Sequence, residues 1–269
     1  MTDLDLDTLQ TFAERLADRA REVSLSYFRS SLTIDYKSDE SPVTRADRET
    51  EAAMRALIQQ HFPEHGLLGE EQGADQADNR YTWVLDPIDG TKNFVAGMPL
   101  YGTLIALLKD RQPILGVVDI PPLAERWVGV QGRSTLFYQG QTRPVQGQVS
   151  QTKKASSLQE AIWYTTSPDF FVGEEAAPFE RLKAELPPCR FGIDCYAFAL
   201  LSAGFVDLVI ETQLKPYDFL ALVAVVEGAG GVITDWQGQP LTQDSSGQVL
   251  ASANAELHQQ ALALLAQPA

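Results

Sequence analysis

Apolar positions near the amino terminus recur at steps of four and three. Leu9, Ala13, Leu16, Ala20, Val23 and Tyr27 fall on one stripe, which predicts a long amphipathic helix with one face on a core. A polar stretch over 37–47 follows, dense in small and charged residues, and reads as a mobile loop. Thr44 with Asp47 three residues on has the pattern of a capping box. A second helix is therefore expected to begin there and to turn Met54, Leu57 and Ile58 inward. The periodicity then shortens. Apolar runs over 67–69 and 82–85 read as buried strands, each ending in carboxylates, and runs over 102–108, 114–120, 125–130 and 135–139 come at hairpin spacing. That pattern predicts an antiparallel meander. Further on, strands over 161–165, 190–193, 206–211 and 232–234 alternate with helices over 178–186, 195–203 and 217–228, before a last helix from about Asn254. Such alternation predicts an α/β layer. The Gln-, Ser- and Thr-rich stretch 141–158 has little periodicity, so the chain is expected to divide into an α+β unit, 1–145, and an α/β unit, 146–269.

Composition narrows the classes of function. The 269 residues are 44% hydrophobic and 21% charged, an ordinary globular balance. Lys+Arg 21 against Asp+Glu 36 gives a net charge of −15, which disfavours nucleic acid, anionic membranes and polyanionic partners. A small anion can still bind where metal ions reverse the local sign. The acidic, alternating amino terminus is unlike a signal peptide, and no apolar run approaches the about 20 residues that span a bilayer. A cytoplasmic protein is expected. Cys189 and Cys195 match no zinc or redox spacing, and His61, His65 and His258 flank no obvious nucleophile, so a zinc site and a hydrolase triad are both disfavoured.

Chemistry concentrates where the strand over 82–85 ends, in Asp86-Pro87-Ile88-Asp89-Gly90-Thr91. Pro87 fixes its own φ and lacks an N–H, while Gly90 permits a tight turn, so a rigid loop can hold Asp86 and Asp89 on one side. Two carboxylates aimed at one point repel each other, and a divalent cation relieves the repulsion. A helical turn starting near Thr91 would aim N–H groups of Gly90 and Thr91 at the same point, where they could hold an anion. Cation plus anion suggests a metal-dependent phosphate site. The same residues are also ordinary turn chemistry, with both carboxylates in water. Glu70 and Glu71 end the preceding strand; if the two strands pair, three or four carboxylates surround one cavity, and otherwise these acids begin a solvated loop. Asp218 opens an apolar helix, where the helix dipole favours an acid in any case.

Glu70-Glu71 after a short strand, Asp86-Pro-Ile-Asp89-Gly-Thr91, and Asp218 before an apolar helix ending Glu227-Gly-Ala-Gly-Gly231 resemble the inositol monophosphatase family in order and spacing. The resemblance runs over 37–234. It implies a layered αβαβα sandwich of the inositol monophosphatase and fructose-1,6-bisphosphatase type, usually dimeric and sensitive to lithium. By the same resemblance Glu70, Asp86, the backbone carbonyl of Ile88, Asp89 and Asp218 would bind Mg²⁺, two or three ions in all. Thr91 would position the attacking water, with Asp47 supporting Thr91, and Gly90, Thr91 and Asp218 would meet the substrate. Lys37 matches a basic residue of a mobile loop at the metal site. Glu125-Arg-Trp127, Arg190-Phe-Gly-Ile-Asp194-Cys-Tyr196 and Lys215-Pro-Tyr-Asp218 are similar to the histidinol-phosphate phosphatase branch, although Ile193 stands where that branch often has glycine.

The residue types fit the chemistry on their own terms. Oxygen donors without His or Cys favour a hard cation, and two Mg²⁺ ions sharing Asp86 could clamp an in-line displacement while Glu70 and Thr91 orient water. Histidinol phosphate carries an ammonium and an imidazole, so its pocket should add carboxylates beyond the metal ligands. Asp194 and Glu211 are the candidates, against a helix N-cap for the first and a solvated strand end for the second. The expected activity is hydrolysis of a small phosphate monoester by a homodimer. Hydrolysis of inositol 1-phosphate is the alternative within the family. A dehalogenase-type phosphatase, whose aspartate would be the nucleophile, is disfavoured by the extra residue between the two aspartates. A non-catalytic metal or anion binder is the reading from a different class.

Overall fold

The computed structural model describes residues 5–31, 33–36, 42–140, 147–154 and 157–267. Helix α1, Leu6–Tyr27, starts where the Asp5 side chain accepts the Thr8 N–H at 3.1 Å, and it buries Leu9, Ala13, Leu16 and Ala20 as the stripe requires. The polar stretch differs from the loop expected of it. Its flanks pair as a small antiparallel ribbon, β1 at Ile34–Tyr36 with β2 at Pro42–Thr44, while 37–41, Lys37 included, lie outside the described residues. Helix α2, Arg45–His61, opens on the expected capping box of Thr44 and Asp47. Next come β3 at Gly66–Gly69, β4 at Gly73–Asp75 and β5 at Tyr81–Asp89, then the short helix α3 at Thr91–Val95. The meander follows as β6 at Gly102–Lys109, β7 at Gln112–Ile120, β8 at Glu125–Val130, β9 at Leu136–Gln139 and β10 at Gln148–Val149. Of the expected junction, 141–146 lie outside the described residues, and β10 beyond it pairs with β9.

The second half holds β11 at Trp163–Thr165, α4 at Ala176–Glu185, β12 at Arg190–Phe191 and α5 at Tyr196–Ser202. It continues with β13 at Leu208–Glu211, α6 at Pro216–Gly228, β14 at Val232–Thr234, β15 at Val249–Ser252 and α7 at Ala255–Leu265. Strand β12 is shorter than expected because Gly192, at φ 86°, and Asp194, at φ 43°, turn the chain out of the sheet. Strand β15 was not expected at all, yet it lies inside the second sheet between β13 and β14.

These elements stack in five layers, the αβαβα sandwich. Strands β3 to β10 form one sheet in the order β10-β9-β8-β7-β6-β5-β3-β4, antiparallel except where β3 runs parallel to β5. Trp83, Leu85, Ile105, Leu107 and Val117 point from it into a core with Leu9, Leu16, Met54 and Ile58 of α1 and α2. The opposite parity, Val84, Leu104, Ala106 and Val118, meets α5 and α6. A sheet covered on both faces needs apolar side chains at both parities, which is why its strands read as unbroken apolar runs. Gly116 and Gly129 let α6 lie directly on the sheet: an added Cβ would come within 1.9 Å of the Ala221 carbonyl and 2.2 Å of the Ala224 carbonyl. The other face of α5 and α6 meets a five-stranded sheet, β12-β11-β13-β15-β14, through Val209, Ile233, Val249 and Ala251. Helices α4 and α7 close the far side with Phe179, Leu182, Leu257 and Ala261 on Trp163, Leu208, Ile210 and Leu250. No described helix is long and apolar enough to cross a membrane.

Candidate active site

In a regular strand, residues three apart point to opposite faces. Asp86 and Asp89 escape that rule because the register with β6 shifts between them: Asp86 pairs with Leu104 and Asp89 with Gly102. Pro87 sits at this bulge, where a residue without an N–H costs the ladder nothing, and the Thr103 hydroxyl donates to its carbonyl at 2.9 Å. The bulge therefore turns both carboxylates toward one point. The Ile88 N–H donates back to Asp86 Oδ1 at 3.0 Å, and Asp89 Oδ2 accepts the Cys195 N–H at 2.7 Å. Gly90, at φ 81°, then caps α3 in a conformation that suits glycine.

The parallel pairing of β3 with β5 brings the two acidic strand ends to one edge. Gly69 is level with Leu85, and the Glu70 N–H donates to the Leu85 carbonyl at 3.2 Å. Asp218 arrives from the other side, at the half-buried start of α6. Its Oδ2 accepts the Lys215 N–H at 2.7 Å, so the helix-capping explanation holds, and the side chain still reaches the cluster. Asp86, Asp89 and Asp218 each present an oxygen within 4.8 Å of the others. Burial pushes the Asp86 carboxyl well above the usual carboxylate range, and the carboxyls of Glu70, Asp89 and Asp218 push it further. Asp218 is driven up in the same way, by burial and then by Asp89, while burial raises Asp89 against the Cys195 N–H. These four acids share one partly buried space, where Lys215 offsets part of the charge on Asp218 and the mutual repulsion of the carboxyls remains.

Asp47 also keeps both of its readings. Its Oδ2 accepts the Thr44 N–H at 2.8 Å and the Thr44 hydroxyl at 2.6 Å, while Oδ1 lies 3.2 Å from Thr91 Oγ1. That hydroxyl has a second acceptor in the Ile88 carbonyl at 3.1 Å. Asp194 is not the N-cap of α5, which starts after Cys195 without a side-chain cap. Its carboxylate instead lies against Gly90, where an added Cβ would come within 3.0 Å of Oδ2. Glu211 is a buried strand end, not a solvated one. Thr166 donates to its Oε1 from the N–H at 2.6 Å and from the hydroxyl at 3.0 Å, and the Thr165 hydroxyl lies 3.3 Å from Oε2. Burial lifts the Asp194 carboxyl to about 7 and Glu211 to about 8.

A group of buried, mutually repelling oxygen donors is the donor set of a hard divalent cation, and the residues fit one. The arrangement also leaves a hydroxyl, Thr91, linked to a carboxylate at its edge. Comparison with known proteins bears on this geometry directly. The model of the family described as "Inositol monophosphatase family" matches residues 5–268. The chain belongs to the inositol monophosphatase family of phosphatases. Among curated relatives of this phosphatase, the chloroplastic bifunctional phosphatase IMPL2 of Arabidopsis thaliana is 46% identical over 97% of the chain and 76% of the relative. A histidinol-phosphatase of Chlorobaculum parvum is 35% identical over 90% of each protein. A solved structure of an inositol monophosphatase from Zymomonas mobilis has a TM-score of 0.87 at 43% identity, covering 98% of this chain and 100% of that one.

Two positions of this phosphatase escaped the sequence reading. Glu51 of α2 accepts the N–H groups of Glu71, at 2.7 Å, and Gln72, at 3.1 Å, and pairs with Arg55 at 2.7 Å. Its carboxylate occupies the space a Cβ on Gly69 would need, so it fixes the turn that presents Glu70. In sequence, Glu51 and Arg55 look like a surface i,i+4 pair; only their burial shows otherwise. The second is Asn93, whose amide donates to Asp194 Oδ2 at 2.7 Å and the Gly192 carbonyl at 3.0 Å. His258 contacts the Ser252 hydroxyl at 2.9 Å, and its other nitrogen meets the Thr234 hydroxyl at 2.9 Å.

Proposed function

We propose that the chain is a Mg²⁺-dependent histidinol-phosphate phosphatase, releasing L-histidinol and inorganic phosphate. The observation that carries this reading is the convergence of Asp86, Asp89 and Asp218 within 4.8 Å beside a hydroxyl–carboxylate pair, Thr91 and Asp47. Glu70, Asp86, the Ile88 carbonyl, Asp89 and Asp218 would hold the Mg²⁺ ions, two or three of them, which when bound neutralise phosphate oxygens and acidify water. The chain's own residues do the rest. Asp47 Oδ1 accepts the Thr91 proton, which leaves the lone pairs of Thr91 Oγ1 to take a proton from the attacking water. Glu70, at the rim of the cluster, orients the same water. The water oxygen forms the new P–O bond as the ester P–O bond breaks and the departing oxygen takes a proton from solvent water, so no carboxylate becomes phosphorylated.

Substrate choice rests on the two additional carboxyls. Asp194 lies against Gly90, next to the phosphate end of the cleft, and suits a cationic group two or three bonds from a phosphate ester. Glu211 already accepts from Thr165 and Thr166, so it serves the pocket more as a wall than as a free partner. Relatives named histidinol-phosphatase, from Chlorobaculum parvum and from Mycobacterium tuberculosis, both 35% identical, favour the same substrate. Inositol 1-phosphate is the second reading, favoured by the likeness to the Zymomonas mobilis inositol monophosphatase. We read the protein as a cytoplasmic homodimer acting on a small molecule, since a net charge of −15 suits neither nucleic acid nor an anionic membrane. Phosphate release from histidinol phosphate, inositol 1-phosphate, fructose 1,6-bisphosphate and 3′-phosphoadenosine 5′-phosphate, each with Mg²⁺, tests the assignment. A kcat/KM for histidinol phosphate at least about tenfold above the others is expected. A preference for inositol 1-phosphate would replace the first reading with the second.

A further inference from the structure

The loop that carries Asp194 and the loop that carries Asp89 come from opposite halves of the chain, and one side chain fastens them together. Asn93 stands on α3, two residues beyond Thr91. Its Nδ2 donates to Asp194 Oδ2 at 2.7 Å and to the Gly192 carbonyl at 3.0 Å, with the Leu100 carbonyl at 3.3 Å as a third acceptor. The partners in the second loop are 99 and 101 residues away in sequence. Asp194 needs such a hold. It is a non-glycine residue at φ 43°, in the left-handed region, between Gly192 at φ 86° and the start of α5. A backbone of that kind keeps one conformation only when its surroundings fix it. The Cys195 N–H on Asp89 Oδ2, at 2.7 Å, also ties these loops, but it holds the backbone and makes no bond to the Asp194 side chain.

We propose that Asn93 is a positioning residue for substrate selection: its amide fixes the Asp194 carboxylate over Gly90, at the distance from the phosphate site that a cationic substrate requires. The carboxylate has four lone-pair sites, and Asn93 uses one on Oδ2. The other lone-pair sites stay available for a cationic substrate group. Among the described residues Asn93 makes no hydrogen bond to Asp86, Asp89 or Asp218; its bonds go to Leu100 and to the loop of Gly192 and Asp194, so its effect on substrate passes through Asp194. The same amide cannot be replaced by a carboxylate, which would repel Asp194, nor by an alanine, which would release it.

This inference rests on the histidinol-phosphate reading, and the test keeps the two apart. Wild type, Asn93→Ala, Asp194→Asn and the double variant are assayed on histidinol phosphate and on inositol 1-phosphate, with melting temperatures as a fold control. Asn93→Ala should raise KM for histidinol phosphate about tenfold, with kcat and the inositol 1-phosphate constants within about twofold. Adding Asn93→Ala to Asp194→Asn should then change KM less than about twofold, because the carboxylate it positions is gone. Asn93→Ser, which keeps a shorter donor, should fall between wild type and Asn93→Ala, and it serves if the alanine variant melts early. Equal losses on both substrates, or additive losses in the double variant, would overturn the positioning role. Should wild type prefer inositol 1-phosphate, the substrate reading falls on its own; the cycle on the preferred substrate then decides Asn93, non-additivity keeping it and additivity ending it.

Discussion

Two groups of buried carboxylates lie in the eight-stranded sheet with one strand between them, and they are balanced in opposite ways. On β7, Asp119 is fully buried and grips two guanidinium groups: Arg126 at 2.6 Å, and Arg21 at 3.0 Å and 2.5 Å. Arg126 in turn reaches Asp18 at 2.8 Å. Where β5 ends, Asp86 is as buried as Asp119 while Asp89 and Asp218 are half-buried, and the three face one another with the backbone N–H groups of Ile88, Cys195 and Lys215 as hydrogen-bond donors. A buried charge is tolerated when paired and costs stability when it is not. The first group is therefore complete as folded and holds α1 against the sheet. The second is raised above the ordinary carboxylate range by burial and mutual repulsion, which is the mark of a site rather than of a scaffold.

Parallel substitutions should separate the two. Asp86→Asn removes charge that the metals and the phosphate chemistry need, and should lower kcat/KM at least about a thousandfold, on the order of 4 kcal/mol. Its melting temperature without metal should stay level or rise, because one repelling carboxyl is gone. Asp119→Asn should do the reverse. Stripping the shared acceptor from two guanidinium groups should cost about 3 kcal/mol of stability while leaving kcat/KM per folded molecule within about twofold. Urea unfolding and steady-state assays of both variants check this, and a stability loss in Asp86→Asn matching that of Asp119→Asn would erase the distinction.

The contrast is only partly legible in the sequence. The carboxylates at the end of β5 stand out because strand, proline and glycine are contiguous; the apolar runs give a meander and an α/β layer, and the five-layer stacking comes only from the family resemblance. Asp119 and Arg126 are cross-strand partners in one hairpin, but Arg21, the other guanidinium on Asp119, comes from α1, 98 residues away, and no local pattern connects it. Glu51 hides in a helix that looks solvated on that side, and Asn93 finds its partners across the cleft. Strand β15 is four residues in a polar, glycine-containing stretch, and only its place between β13 and β14 makes it a core strand. Local signals thus reveal where charge is delivered. What balances the charge is decided by tertiary contact.

A smaller effect sharpens the same point through pH. Carboxyls raised in the fold bind protons that the unfolded chain has released, so the stability they confer is full below the ordinary carboxylate range and is lost as pH rises through the raised values. His65 and His258, lowered by burial to about 4, act oppositely between there and the ordinary imidazole value of 6.5. As pH rises past 6.5, His65 and His258 become neutral in both states, which leaves the acids to dominate, with Asp194 at about 7, Glu211 at about 8, and Asp86 and Asp218 raised. In chelator, the melting temperature should therefore fall by several degrees between pH 6.5 and 8. Mg²⁺ should remove much of that slope, because it favours the charged form of its ligands. A flat profile in chelator would mean that the acids are already offset within the protein.

The most direct measurement is the rate of phosphate release from histidinol phosphate as free Mg²⁺ is varied from excess chelator to saturation. The account predicts a rate at background in chelator, restored fully by adding Mg²⁺ back, with the label from ¹⁸O-water found in the released phosphate. Full turnover in chelator, or label retained on the side chain of Asp86 or Asp89, would contradict it.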